Sequence, residues 1–185
     1  EHKSFHGPLH VCFVGNLSHF KGITALVESL ALLPEGVVGT LQIAGDGAAR
    51  RDVEALIATH GWENTVQLLG FQSRQQLNKL YEDSHILVLP SASEGFPKVV
   101  AEAAAYGCVS LVSDVSAIGQ YIVTGVNGHL LQERSPEAIA SALLQLSADR
   151  ATLKKMSLAA VQLTERFTYA HFSERIVADI LPGKI

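Results

Sequence analysis

The chain predicts an α/β domain, a parallel sheet of about six strands with helices on both faces. Three observations carry that reading. Strand-like and helix-like segments alternate from residue 9 onward. Most strand segments are apolar throughout rather than alternating, as in strands covered on both sides. The turns that follow strands hold several of the glycines and a few isolated polar residues. At 185 residues the chain is long enough for one domain with a sizeable core.

Residues 1–8 have linker composition, and 9–185 are assigned to the domain. Residues 9–14 (LHVCFV) read as the first strand. The loop 15–22 (GNLSHFKG) follows, then a helix over 23–33 with apolar residues at 23, 26, 27, 30 and 33. A second strand, 37–44, turns through Gly45-Asp46-Gly47 into a helix over 48–60. A short third strand, 66–69, leads through Gly70-Phe71 to Ser73, which with Gln76 makes a capping box for a helix ending at Asp83. The fourth and fifth strands, 85–89 and 108–112, bracket a loop at 90–96 and an alanine-rich helix over 98–106. Pro97 suits the first position of that helix, and Gly107 a left-handed cap after it. Residues 116–123 read as a short helix or turn, 125–128 as a turn and 129–131 as the last strand. Ser135 caps a helix that begins at Pro136 and reaches about residue 146, and further helices are read over 149–167 and 170–181.

In such a sheet, ligands bind beyond the carboxyl ends of the strands. The loops there are 15–22, 45–47, 70–72, 90–97 and 113–118. They put Lys21 and Glu94 at one edge, with Glu102 reachable from it. Glu102 is the odd residue, set among Val99, Val100, Ala101, Ala103, Ala104 and Ala105. A helix apolar on nearly every side is usually buried, and an unpaired buried carboxylate costs several kcal/mol. Either Glu102 is structural, paired with a backbone amide or a distant base, or it accepts hydrogen bonds from ligand hydroxyls. The helix start at Pro97 aims unpaired amides and a partial positive charge at the loop mouth, which makes an anion site unless Ser91 or Ser93 caps it. Lys98 adds formal charge there. Lys21 stands just ahead of a helix, where the macrodipole opposes it. It either neutralises a bound anion or is a solvated lysine. Gly15 allows a ligand close to the backbone.

Composition excludes some classes. Apolar residues are 48% and charged residues 17%, and the net charge of −4 offers no basic field for nucleic acid or an anionic membrane. No apolar run approaches the roughly 18 residues of a membrane span, and no secretory leader is recognisable. Cys12 and Cys108 lie in apolar strand-like runs, so reduced core thiols in a cytoplasmic protein are expected. The eight histidines are scattered and there is no Asp-x-Asp pair, so neither a metal nor a cofactor is expected. GNLSHFKG lacks the spacing of a Walker loop, and Gly45-Asp46-Gly47 lacks the third glycine of a dinucleotide fingerprint.

The order of motifs carries a resemblance. Glu94-Gly95-Phe96-Pro97, with Glu102 after seven intervening residues, is similar to the E-x7-E motif of retaining glycosyltransferases of the GT-B fold, in the large group often called family 4. Phe13-Val14-Gly15 with Lys21-Gly22 resembles the first phosphate loop of that family, and Ile43 to Gly47 and Leu69-Gly70-Phe71 resemble its next strand ends. Gly125 to Gly128 and Pro136 to Ile139 resemble its closing elements, so the likeness covers about residues 9–146. It implies a single Rossmann-like domain, the donor-binding half of a GT-B fold, working with its own N-terminal acceptor domain. By resemblance, Glu102 holds the ribose of a nucleotide diphosphate sugar (a UDP- or GDP-sugar) and Glu94 holds the transferring sugar. The amides of Gly95, Phe96, Pro97, Lys98 and Val99, as far as each has one, meet sugar and diphosphate. Lys21 neutralises the leaving diphosphate, and Gly15, Asn16 and Phe71 border the nucleotide. No metal is then required, and Glu94 need not be a nucleophile.

Two departures stand out. The family usually places arginine directly after the residue equivalent to Gly15, and this chain has Asn16. That loss predicts weaker donor binding, slower leaving-group departure or a compensating cation, with His19 and Lys98 as candidates. The family also favours Pro-Glu where Gly119-Gln120 stand here. The alternatives are a non-catalytic nucleotide-sugar-binding module, motivated by Asn16, and an epimerase-like domain for nucleotide sugars, which the ordered loops fit less well.

Overall fold

The computed structural model describes residues 3–95 and 97–167. Phe96 and the helix expected over 170–181 lie outside the described residues. The strands are β1 (Leu9–Val14), β2 (Val38–Ala44), β3 (Val66–Gly70), β4 (Ile86–Leu89), β5 (Val109–Ser113) and β6 (Gly128–Leu131). The helices are α1 (Ile23–Ser29), α2 (Arg50–His60), α3 (Arg74–Asp83), α4 (Lys98–Ala105), α5 (Pro136–Ala148) and α6 (Arg150–Leu163). The strands form one parallel sheet in the order β3-β2-β1-β4-β5-β6. Winding reverses between β1 and β4, and the crevice beyond their carboxyl ends is where such a sheet takes ligands.

Every residue of β4 and β5 is buried, as the unbroken apolar runs require of central strands covered on both sides. Helix α1 packs against α2 and α5, while α4 packs against α3 and α6. Cys12 and Cys108 are buried thiols 4.0 Å apart in this core, and burial pushes the Cys108 thiol up.

Three expected helices differ in detail. The first turns into a 3-10 segment at Leu30–Leu32, and the 149–167 helix does the same after Leu163. Pro97 is not the first helical residue but the cap before it, with extended backbone (φ −72°, ψ 112°). Helix α4 is also less buried than its composition suggests. Only Val100, Ala103 and Ala104 are buried, the face that packs against its neighbours, while Lys98 and Ala105 are exposed.

Ahead of β1, residues 3–8 are pinned along the amino end of the sheet. Lys3 Nζ donates to the carbonyls of Tyr81 and Ser84. Arg150 donates to the Gly7 carbonyl at 2.6 Å. His85 joins two segments: its Nδ1 accepts from the His10 amide at 2.9 Å, and its Nε2 donates to the Ser4 carbonyl at 2.5 Å. That pattern fixes the neutral tautomer, and burial pushes its pKa down to about 4.

Candidate functional site

Glycine joints bring the loops of the carboxyl end together. Register pairs Val14 with Ala44, which sets Gly15 beside Gly45. At Gly45, with φ +132°, an added Cβ would strike the Gly15 carbonyl oxygen. At Gly22, with φ +72°, it would strike the carbonyl of Pro90. The close approach at Gly15 is thus first of all loop against loop. The Ala92 amide also donates to the Phe20 carbonyl at 2.8 Å, fastening loop 90–97 onto loop 15–22.

This seating delivers Lys21 to Glu94. Lys21 ends a one-turn 3-10 helix, His19–Lys21, capped by Ser18. Its Nζ lies 2.5 Å from Glu94 Oε1, and the side chains are 27% and 10% exposed. The lysine supplies the partner that a largely covered carboxyl group needs.

Glu102, on the second turn of α4, has two partners, both on α3. Tyr81 Oη donates to its Oε2 at 3.3 Å, and Arg74 Nη1 lies 3.5 Å from its Oε1. Arg74 and Tyr81 stand seven residues apart, two helical turns on one face. The Glu102 side chain is 27% exposed and that of Arg74 is 75% exposed. Burial and the Glu102 charge push the Tyr81 phenol well above its ordinary value, so it stays a donor. Of the two readings open for Glu102, the distant base is present, and the carboxylate is still part-exposed.

Among the described residues no side chain caps α4, so neither Ser91 nor Ser93 closes its start. The Ser91 hydroxyl is buried and has no hydrogen-bond partner among the described residues, and the same is true of Ser113 at the end of β5. Gly95 and Lys98 are exposed at this mouth and Val99 is half-buried. At the carboxyl ends of β1 and β2 lies a cleft of about 230 Å³ lined by Gly15, Asn16, Asp46, Phe71, Gln72 and Leu77. Phe71 is 84% exposed. A larger hollow, about 540 Å³, sits at the amino end between Leu33, Glu35 and Trp62, far from these groups.

The two candidate replacements for the missing arginine fare differently. His19 is held by Asp52 at 3.1 Å and lies 3.3 Å from Thr24 Oγ1. Lys98 stays exposed. Gly119 and Gln120 belong to a 3-10 turn, Ile118–Gln120, with Gly119 backed onto Asp114. Sequence reasoning missed Arg74 and Tyr81. The only available signal was their spacing of seven on a helix entering the same end of the sheet.

Residues 1–162 match the family described as glycosyl transferases group 1. The amylovoran biosynthesis glycosyltransferase AmsK of Erwinia amylovora is 30% identical over 96% of this chain and 46% of its own length. The chain spans under half the length of the curated relatives it matches first. Among solved structures, the C-terminal domain of a group 1 glycosyl transferase (LpcC) of Francisella tularensis superposes with a TM-score of 0.78 at 22% identity, covering 86% of each chain. Anabaena Alr3699/HepE, solved with UDP-glucose, superposes with a TM-score of 0.81 at 23% identity, over 94% of this chain and 49% of that one.

Proposed function

Because the chain belongs to the glycosyl transferases group 1 family, we propose that it is the donor-binding domain of a retaining glycosyltransferase. It takes a UDP- or GDP-sugar, and a preceding acceptor-binding domain completes the enzyme, joined through residues 1–8. The observation that carries this is the pair Glu94 and Glu102. They stand on one loop and the helix that follows it, and each is paired with a basic side chain that a ligand can replace.

The chemistry follows from charge. A diphosphate leaving group needs cations and helix amides where its charge develops. Lys21 and the uncapped start of α4 stand ready at one edge of the crevice. On binding, Lys21 turns from Glu94 to the diphosphate, and Glu94 accepts hydroxyls of the sugar. Glu102, steadied by Tyr81, accepts the ribose hydroxyls, and the exposed Phe71 ring offers a surface for the base. With lysine and amides carrying the phosphate charge, transfer proceeds without a metal. The reaction belongs in the cytoplasm, where nucleotide sugars serve as donors.

Calorimetric titration of the chain with UDP, GDP and ADP tests the reading. Binding of one of them in the micromolar range is expected. No heat from any of the three at millimolar concentration contradicts a donor site. The Asn16 departure keeps a second reading, a non-catalytic nucleotide-sugar-binding module. It wins if the full-length protein binds a nucleoside diphosphate yet transfers no sugar.

A further inference from the structure

Among the described residues, three basic side chains at the carboxyl end of the sheet are paired in the free protein, while Lys98 is exposed. Lys21 holds Glu94, His19 holds Asp52, and Arg74 holds Glu102. A diphosphate brings at least two negative charges, and Asn16 supplies no positive one. The three pairs differ in how easily they open. Lys21–Glu94 is short and covered. His19, with its side chain 70% exposed, touches both Asp52 on α2 and Thr24 on α1, two partners against one for Arg74. Arg74 reaches Glu102 through a single contact of 3.5 Å, with its side chain 75% exposed. Exposed pairs of this kind contribute little, so breaking it costs little. When it breaks, Glu102 keeps its Tyr81 hydrogen bond and therefore its orientation.

We propose that Arg74 is the second diphosphate cation of this protein: it covers Glu102 in the free state and moves to the phosphates as the ribose takes its place. The inference rests on the donor-site reading above. Arginine suits the task because its planar fork can bind phosphate oxygens in pairs and never loses its charge. The move also couples two events. The ribose cannot dock on the Oε1 oxygen of Glu102 until the guanidinium leaves, and the guanidinium leaves toward the charge that arrives with the ribose. A bare nucleoside gains nothing from that exchange and must displace the arginine unaided. The site therefore selects for the diphosphate through a residue that also blocks the empty pocket.

The test is titration of Arg74→Gln and Arg74→Lys chains with UDP and uridine, and with GDP and guanosine. Arg74→Gln is expected to weaken the nucleoside diphosphate about tenfold, as loss of a charged hydrogen bond does, while the matching nucleoside binds as well as before or better. Arg74→Lys should recover most of the loss. An exposed side chain leaves folding intact, and the urea midpoint checks that. Unchanged diphosphate binding, or equal gains for diphosphate and nucleoside, overturns the proposal and leaves the donor site standing. If the unmutated chain binds neither UDP nor GDP, it is the donor-site reading that fails.

Discussion

The two ends of the sheet use the same kinds of residue to opposite effect. At the amino end, Lys3, His85 and Arg150 direct their donors at backbone carbonyls, pinning residues 3–8. Those partners cannot leave without unfolding something. At the carboxyl end, Lys21 and Arg74 pair with carboxylates on loops and helix surfaces. Those partners can be exchanged for a ligand while the backbone stays in place. A charged residue reads as structural when it serves the main chain and as functional when it serves another side chain at a crevice.

That contrast can be broken in several ways. The largest effect is expected from Gly45→Ala, which forces a Cβ into the Gly15 carbonyl at a positive φ. A loss of about 3 kcal/mol or more in urea unfolding is expected, together with loss of nucleotide binding, because the loops separate. If binding survives with the loops disturbed, the crevice is not built from those joints.

Removing the staple at the other end comes next. His85→Ala leaves the His10 amide and the Ser4 carbonyl without partners, at about 2–3 kcal/mol, yet nucleotide affinity should not change. The same histidine sets a pH dependence. Its folded pKa of about 4 lies below the ordinary 6.5, so on acidification the unfolded chain takes up the proton first. Stability is full above pH 6.5 and falls by up to about 3 kcal/mol as pH drops toward 4. A urea midpoint followed across that window should lose this slope in His85→Asn.

The smallest effect is expected from Lys79→Ala. Among the described residues Lys79 pairs with Glu82 and Asp83 of its own helix, in solvent. Neither stability nor binding should move beyond experimental error. A clear change in nucleotide affinity would mean that surface charge, not the crevice, governs binding.

Much of this was legible in the residues. The apolar runs at 9–14, 85–89 and 108–112 mark buried parallel strands to within a residue at each end, and the Ser73–Gln76 capping box is present as read. Glu94 and Glu102 could be singled out because carboxylates are costly in apolar company. The partners of Glu102 could not be read. Arg74 and Tyr81 lie 28 and 21 residues away along the chain, on another helix, and only packing brings them near. Gly45 was likewise opaque. Its neighbour Gly15 is set by the register of β1 on β2, which no local pattern records. His85 could be read as structural, but not the Ser4 carbonyl it binds.

The central claim is that Glu102 holds a ribose. Titration of Glu102→Ala with the bound nucleoside diphosphate and, separately, with pyrophosphate tests it most directly. The expected result is a loss of at least about tenfold for the nucleoside diphosphate, as for a charged hydrogen bond, with pyrophosphate little changed. Equal losses for both ligands, or no loss for either, would contradict it.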